Sequence, residues 1–129
     1  TTSPLRAISD INKCVSKAIR ENLDIVFTTS KSSKNPYFNM AQMKNGKLER
    51  IFSNSKIFFR RQDAPICYDL TTVCYVFKPK FVLKNKNLFS GRTGFVEIPK
   101  HRAIDIDDKI DYKIAKFLSL KGQFWEKKK

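Results

Sequence analysis

The sequence predicts an α/β fold with a mainly parallel sheet and one antiparallel hairpin. Two short apolar runs of the buried-strand type lie at residues 24–29 and 71–77, and segments with helical spacing accompany them. An Asn-Gly pair at residues 45–46, between two strand-like segments, predicts the hairpin. With 129 residues, of which 41% are hydrophobic, the chain is expected to bury a single core.

The first element is predicted to be a helix from Ser9 to about Glu21. Ser9 is a favourable N-cap residue, and Asp10 suits the positive end of the helix dipole. The apolar residues recur at helical spacing. They are Ile11, Val15, Ala18 and Ile19.

Residues 24–29 are predicted to follow as a buried strand, and the polar segment 30–36 as a loop. Residues 37–52 are predicted to form the hairpin, because Asn45 and Gly46 can take the positive φ values that a tight turn requires. Farther along, residues 71–77 are predicted to form a second buried strand.

After that strand, Pro79 is expected to open a short helix that ends at Leu83. Residues 94–99 alternate between apolar and polar side chains as a strand does. Residues 108–118 have the pattern of an amphipathic helix. Its predicted buried side consists of Ile110, Ile114, Phe117 and Leu118.

The composition excludes some classes of protein. The formal charge of +14 favours a polyanionic partner such as nucleic acid, a nucleotide or an acidic sugar, but the basic residues are spread along the chain. No apolar run approaches the ~20 residues of a membrane helix. The three cysteines form no CxxC pair, which favours reduced thiols in a cytoplasmic protein and makes a zinc site improbable.

An acidic segment near the end of the sequence allows two interpretations. If residues 104–107 form a strand, Asp105 and Asp107 lie on one face and could bind one Mg²⁺ between them. Alternatively, Asp107 is the N-cap of the following helix, and Asp108 and Asp111 interact with its dipole. The second interpretation is the more common one, but it leaves Asp105 unexplained.

Two further segments carry candidate binding residues. Arg60, Arg61 and Gln62 could bind a carboxylate or phosphate through the planar guanidinium fork, or simply lie in a solvated loop. The opening segment TTSPLR offers hydroxyl and backbone N–H groups to a nucleotide or sugar, or is only the lead into a helix.

Taken in order, these segments resemble the acylneuraminate cytidylyltransferases, the CMP-sialic acid synthetase family. The shared motifs are TTSPLR at residues 1–6, RRQD followed by proline at 60–65, and IDIDDKIDYKIA at 104–115. The resemblance extends from Thr1 to about Leu118. It implies a three-layer α/β/α fold, Rossmann-like and similar to the nucleotide-diphospho-sugar transferases.

The resemblance also implies an activity. Members of the family transfer CMP from CTP to a nine-carbon 2-keto-3-deoxy sugar acid, a nonulosonic acid, and release pyrophosphate with the help of Mg²⁺. Carried over to this sequence, Asp105 and Asp107 are the catalytic metal ligands. The implied substrate-binding residues are Thr2, Ser3, Arg6, Arg60, Arg61 and Gln62. The family also implies a homodimer, with residues 37–60 as the dimerisation arm.

The sequence departs from the family at its first strand and loop and at residues 71–72. The family's first strand and loop, rich in Gly, Arg, Ser and Lys, have no counterpart here, so residues 1–129 are expected to be the C-terminal portion of one cytidylyltransferase domain. Thr71-Thr72 stands where many members have Asn-Gly, which leaves the sugar unassigned. Two alternatives remain open: a catalytically inactive fragment of the synthetase, and a basic nucleic-acid-binding module.

Overall fold

A computed structural model describes residues 2–52 and 57–121 of the chain. Its helices and strands follow one another as α1 (Ile8–Arg20), β1 (Ile25–Lys31), β2 (Ala41–Lys44), β3 (Lys47–Arg50), β4 (Tyr68–Phe77), α2 (Pro79–Lys84), β5 (Thr93–Glu97) and α3 (Lys109–Lys121). The predicted α/β class is confirmed. The chain divides into two compact units, one formed by Thr1–Ser30 with Leu70–Lys129 and the other by Lys31–Asp69.

Three strands form a sheet in the order β4-β1-β5. β1 and β5 are parallel and pair from Ile25 with Thr93 to Thr29 with Glu97. β4 is antiparallel to β1, as two hydrogen bonds show. The Lys78 N–H, just after β4, donates to the Asp24 carbonyl just before β1, whereas the Cys74 N–H, earlier on β4, donates to the Thr28 hydroxyl farther along β1. The sheet is therefore mixed, and the expectation of a mainly parallel sheet is not confirmed.

The central strand β1 is buried from Ile25 to Ser30 because it has a neighbour on each side. Its Thr28 hydroxyl is satisfied inside the sheet, where it accepts the Cys74 N–H at 3.0 Å and the Thr71 hydroxyl at 2.7 Å. Such bonds offset the cost of burying a polar side chain. The predicted strand 24–29 is thus confirmed.

Helix α1 covers one part of the core. Cys14 is fully buried and packs with Leu23 and Val26. Gly94 on β5 is in contact with Leu23, and a Cβ at this position would collide with the Leu23 side chain. Glycine therefore allows the segment after α1 to lie close against β5.

The predicted start of α1 is wrong. The helix begins at Ile8, the N-cap position is Ala7, no side chain of the described residues caps it, and Ser9 lies within the first turn. Of the apolar residues at helical spacing, Val15 and Ile19 are exposed, whereas Asp10 and Cys14 are buried.

The strand predicted at residues 104–107 is absent, and these residues form a loop before α3. The backbone there pairs at one point outside the sheet, since the Ile106 N–H donates to the Thr2 carbonyl at 2.8 Å. α3 itself forms, but three residues of its predicted buried side, Ile110, Ile114 and Phe117, are exposed, and Ala115 is buried instead.

The hairpin is confirmed. β2 and β3 are antiparallel, and Asn45 and Gly46 between them have φ values of 51° and 75°. An Asn-Gly pair tolerates such angles, whereas most side chains at the Gly46 position would be strained.

Candidate functional site

The four aspartates of the acidic segment separate into two pairs. Asp108 is the N-cap of α3, because its Oδ1 accepts the N–H groups of Ile110 and Asp111 at 2.6 and 2.9 Å. Asp111 Oδ2 in turn accepts the N–H groups of Asp107 and Asp108, each at 3.2 Å. This is a reciprocal capping arrangement, and it corrects the expectation that Asp107 is the cap.

The carboxylates of Asp105 and Asp107 take no part in that capping arrangement. Asp107 is exposed, and its carboxylate does not cap the helix. Asp105 is half-buried, and its Oδ1 is a buried atom with no hydrogen-bond partner among the described residues. An unpaired buried carboxylate oxygen is costly unless a cation or another polar group satisfies it.

The donor set of this pair fits a hard cation. Mg²⁺ prefers oxygen ligands and commonly keeps several waters, so one or two carboxylates are enough for a site that also holds phosphate groups. Within residues 2–52 and 57–121, no group of three or more histidine, cysteine, aspartate or glutamate side chains could hold a metal ion. A metal ion held by Asp105 and Asp107 would therefore find no third ligand of these types among the described residues.

The opening segment lies beside the acidic loop. Thr2 is exposed, and its carbonyl accepts the Ile106 N–H next to Asp105. Ser3 is fully buried, and its hydroxyl shares a short hydrogen bond with the Thr72 hydroxyl of β4. Arg6 is exposed, and its Nε–H donates to the Ser3 carbonyl at 3.0 Å.

A buried ion pair joins α1 to the segment before the acidic loop. Arg102 Nε and Nη2 contact the two carboxylate oxygens of Asp10 at 2.8 and 2.9 Å. Only 1% of the Asp10 side chain is exposed. Sequence reasoning missed this pair, because an acidic residue in the first turn of a helix is expected to interact with the helix dipole.

The other candidate residues belong to the unit Lys31–Asp69. A short 3₁₀ turn spans Arg61–Asp63 and directly follows Arg60. The Arg61 guanidinium donates from Nη2 to the Ser32 carbonyl at 3.1 Å, and this bond restrains the end of the side chain.

A cavity of about 440 Å³ lies in this unit. Arg61 and Gln62 line it together with Lys31, Lys34 and Cys67. Three cationic side chains in one cavity attract an anion, and a guanidinium can bind a carboxylate with two parallel hydrogen bonds. Asn35 is buried nearby and donates to the Pro65 carbonyl at 2.8 Å, which holds the wall of the cavity.

Over the described residues, no helix is long and apolar enough to cross a membrane.

The thiols of Cys14 and Cys74 interact, and burial is the main reason that the pKa of Cys14 rises to about 12. Burial also raises the pKa of Cys74. Both thiols are therefore protonated at neutral pH, and we assign them a packing role.

No family model matches the chain. It is 35% identical over 117 residues to the "Post-translational flagellin modification protein B" of Campylobacter coli, a stretch that covers 91% of this chain and 49% of the relative. It is 38% identical over 98 residues to the "CMP-N,N'-diacetyllegionaminic acid synthase" of Campylobacter jejuni, covering 75% of this chain and 41% of the relative. The chain thus spans about half the length, or somewhat less, of the curated relatives it matches.

Proposed function

This chain is acylneuraminate cytidylyltransferase-like, and from that relationship we propose that it takes part in transferring CMP from CTP to a 2-keto-3-deoxy nonulosonic acid, with release of pyrophosphate. The observation that carries the proposal is the 38% identity, over 75% of the chain, with a relative whose name states that it makes a CMP-sugar acid. The proposal includes the three-layer α/β/α nucleotidyltransferase fold, to which the mixed sheet would contribute three strands.

The proposed metal site consists of Asp105 and Asp107 with Mg²⁺. The unpaired buried Oδ1 of Asp105 supports this role, as does the freedom of the Asp107 carboxylate from helix capping. When bound, the ion would neutralise phosphate charge at the reacting centre. The contribution of the chain itself is to hold two carboxylates on a loop that is hydrogen-bonded to Thr2.

The proposed sugar-acid site is the cationic cavity. Arg61 and Gln62 line it, so the guanidinium can bind the carboxylate of the sugar and the amide can bind a hydroxyl. Arg60 directly precedes the turn and adds positive charge. Thr2 and Arg6 are proposed to contact substrate from exposed positions, whereas Ser3 would act by holding the shape of its segment through Thr72.

We also propose that the hairpin mediates a homodimer, as the family resemblance implies for residues 37–60. Met43 and Leu48 are register partners on β2 and β3, so they lie on the same face of the hairpin. Both are exposed, at 70% and 73%. A pair of large apolar side chains on one exposed face is suited to cover by a second copy of the chain.

The experiment that tests the function is pyrophosphate release from CTP in the presence of Mg²⁺ and a panel of nonulosonic acids: sialic, legionaminic and pseudaminic. We expect Asp107→Asn to lower turnover by at least ~100-fold, since it removes a ligand of the metal that stabilises transition-state charge. Asp69→Asn is the matched control, because it makes the same change at an exposed aspartate of β4, outside the acidic segment.

The outcomes separate the alternatives clearly. Turnover by Asp107→Asn close to that of the unaltered protein would contradict the metal assignment. Absence of pyrophosphate release with every sugar acid would contradict the proposed activity and favour an inactive relative of the synthetase.

A further inference from the structure

The loop that carries Asp105 begins at a buried charge pair whose two members come from distant parts of the chain. Arg102 ends a 3₁₀ turn that spans Lys100–Arg102, three residues before Asp105. Its guanidinium contacts both carboxylate oxygens of Asp10, which is 92 residues away in sequence. The pair is bidentate and largely buried, since the exposed fractions of the Arg102 and Asp10 side chains are 20% and 1%.

Geometry of this kind restricts rotation more than a single hydrogen bond does. The planar guanidinium fork matches the plane of the carboxylate, so two parallel bonds fix the distance and also the relative orientation of the two groups. Asp10 is in the first turn of α1, a 13-residue helix packed on the core through Cys14. Arg102 is thereby attached to a helix that is anchored in the core of its unit by Cys14.

The loop is held on the far side of Asp105 as well. The Ile106 N–H donates to the Thr2 carbonyl at 2.8 Å. Thr2 and the neighbouring Ser3 are themselves tied to β4 through the hydrogen bond between Ser3 and Thr72. Asp105 therefore lies inside a short span fixed at Arg102 and at Ile106, and its Oδ1 is buried without a hydrogen-bond partner among the described residues.

We propose that Asp10 and Arg102 are positioning residues: their ion pair fixes the loop so that Asp105 and Asp107 face a common cation. This inference rests on the proposed function. Neither Asp10 nor Arg102 touches the cation or substrate in this proposal. Outer groups that orient metal ligands typically change metal affinity by ~10–100-fold when they are replaced.

The test uses two variants and one matched control. Asp10→Asn removes the charge of the buried carboxylate, and Arg102→Lys keeps the positive charge but loses the fork. Arg102→Lys is included because it retains a cation beside Asp10 and so keeps the test informative should Asp10→Asn fail to fold. Asp24→Asn is the control, because Asp24 also joins distant segments, through Lys78 and the Arg92 N–H, but it does so at the amino end of β1.

The first measurement is the hydrogen exchange rate of the Ile106 amide by NMR, which needs no ligand. We expect both variants to raise this rate at least ~10-fold relative to other amides of the same unit, because loop opening becomes local and frequent once its anchor is lost. In Asp24→Asn, the exchange rate of the Ile106 amide should change by the same factor as the rates of the other amides of the unit.

The second measurement is a Mn²⁺ titration, followed by paramagnetic broadening of the amides of residues 105–108. We expect the apparent affinity to fall ~10-fold or more in Asp10→Asn and Arg102→Lys, and to stay unchanged in Asp24→Asn.

Three results would overturn the proposal or separate it from the proposed function. Behaviour of both variants that matches the control would overturn it. Faster Ile106 exchange with unchanged Mn²⁺ affinity would also overturn it, since the pair would then stabilise the loop without orienting the ligands. If the unaltered protein binds no Mn²⁺, the metal site of the proposed function is wrong, and selective acceleration at Ile106 would then show that the pair holds the loop but not that it orients metal ligands.

Discussion

Among the residues of the acidic segment, two chemical tasks are divided between neighbours. Asp108 and Asp111 exchange hydrogen bonds with the first turn of α3, whereas Asp107 is exposed and Asp105 has a buried Oδ1 without a hydrogen-bond partner among the described residues. The structure thus assigns the helix cap to Asp108 and Asp111 and leaves Asp105 and Asp107 for the metal role proposed above. Both are compatible with one segment, because they use different side chains.

The division predicts a clean separation between stability and activity. Asp108→Ala removes the acceptor of two orphan N–H groups, so we expect it to lower the free energy of unfolding by ~1 kcal/mol. Asp107→Ala should leave that free energy nearly unchanged, because no backbone group depends on its carboxylate for a cap. Urea unfolding curves of the two variants measure the difference, and equal losses would contradict the assignment of the cap.

At the scale of elements, the hairpin offers the most direct test. Leu48→Lys places a charge on the face that it shares with Met43, so we expect a dimer formed through this face to dissociate more readily, with its dissociation constant raised at least ~10-fold. Gln42→Lys is the matched control, since it adds the same charge on the opposite face.

Sedimentation velocity over a range of protein concentrations measures the effect. A protein that remains monomeric at all concentrations, or equal effects of Leu48→Lys and Gln42→Lys, would contradict dimerisation through this face.

Elements with strong local signals were predictable from the sequence, and those set by distant contacts were not. β1 follows from its apolar run, and the hairpin follows from Asn45-Gly46, whose positive φ values are a local property. Residues 104–107 look like a strand by alternation, yet the Ile106 N–H bonds to Thr2, more than a hundred positions earlier in the chain. No local pattern encodes that partner.

Burial on the helices shows the same limit. Val15 and Ile19 follow the apolar periodicity of α1 but are exposed, whereas Asp10 is buried because its carboxylate meets Arg102. Likewise, a sequence can suggest that an aspartate caps a helix, but the choice between Asp107 and Asp108 depends on where the loop ends. The candidate site could be named in advance, whereas its anchoring could not.

At the scale of the whole molecule, the buried Cys14 thiol links ionisation to stability. Its pKa is raised to about 12 from an ordinary value of 9.0, so the unfolded chain loses this proton at lower pH than the folded one. Ionisation of Cys14 should therefore leave the free energy of unfolding unchanged at neutral pH and should lower it as the pH rises above ~9, by up to ~1.4 kcal/mol per pH unit.

Cys14→Ala removes this ionisation. We expect the variant to be less stable at pH 7, because it leaves a cavity, but to lose less stability than the unaltered protein between pH 9 and 11. Cys67→Ala provides the control, since Cys67 is not part of the core cluster. Parallel alkaline curves for the Cys14→Ala variant and the unaltered protein, by thermal unfolding, would refute the linkage.

The unequal burial of the cysteines has a practical consequence as well. Cys14 and Cys74 are protonated and packed, whereas Cys67 is half-buried and lines the cationic cavity. A thiol-reactive dye should therefore alkylate Cys67 first, in the cavity that Arg61 and Gln62 also line. The protein thus offers an optical reporter at the cavity, with which candidate sugar acids could be screened by fluorescence before any turnover is observed.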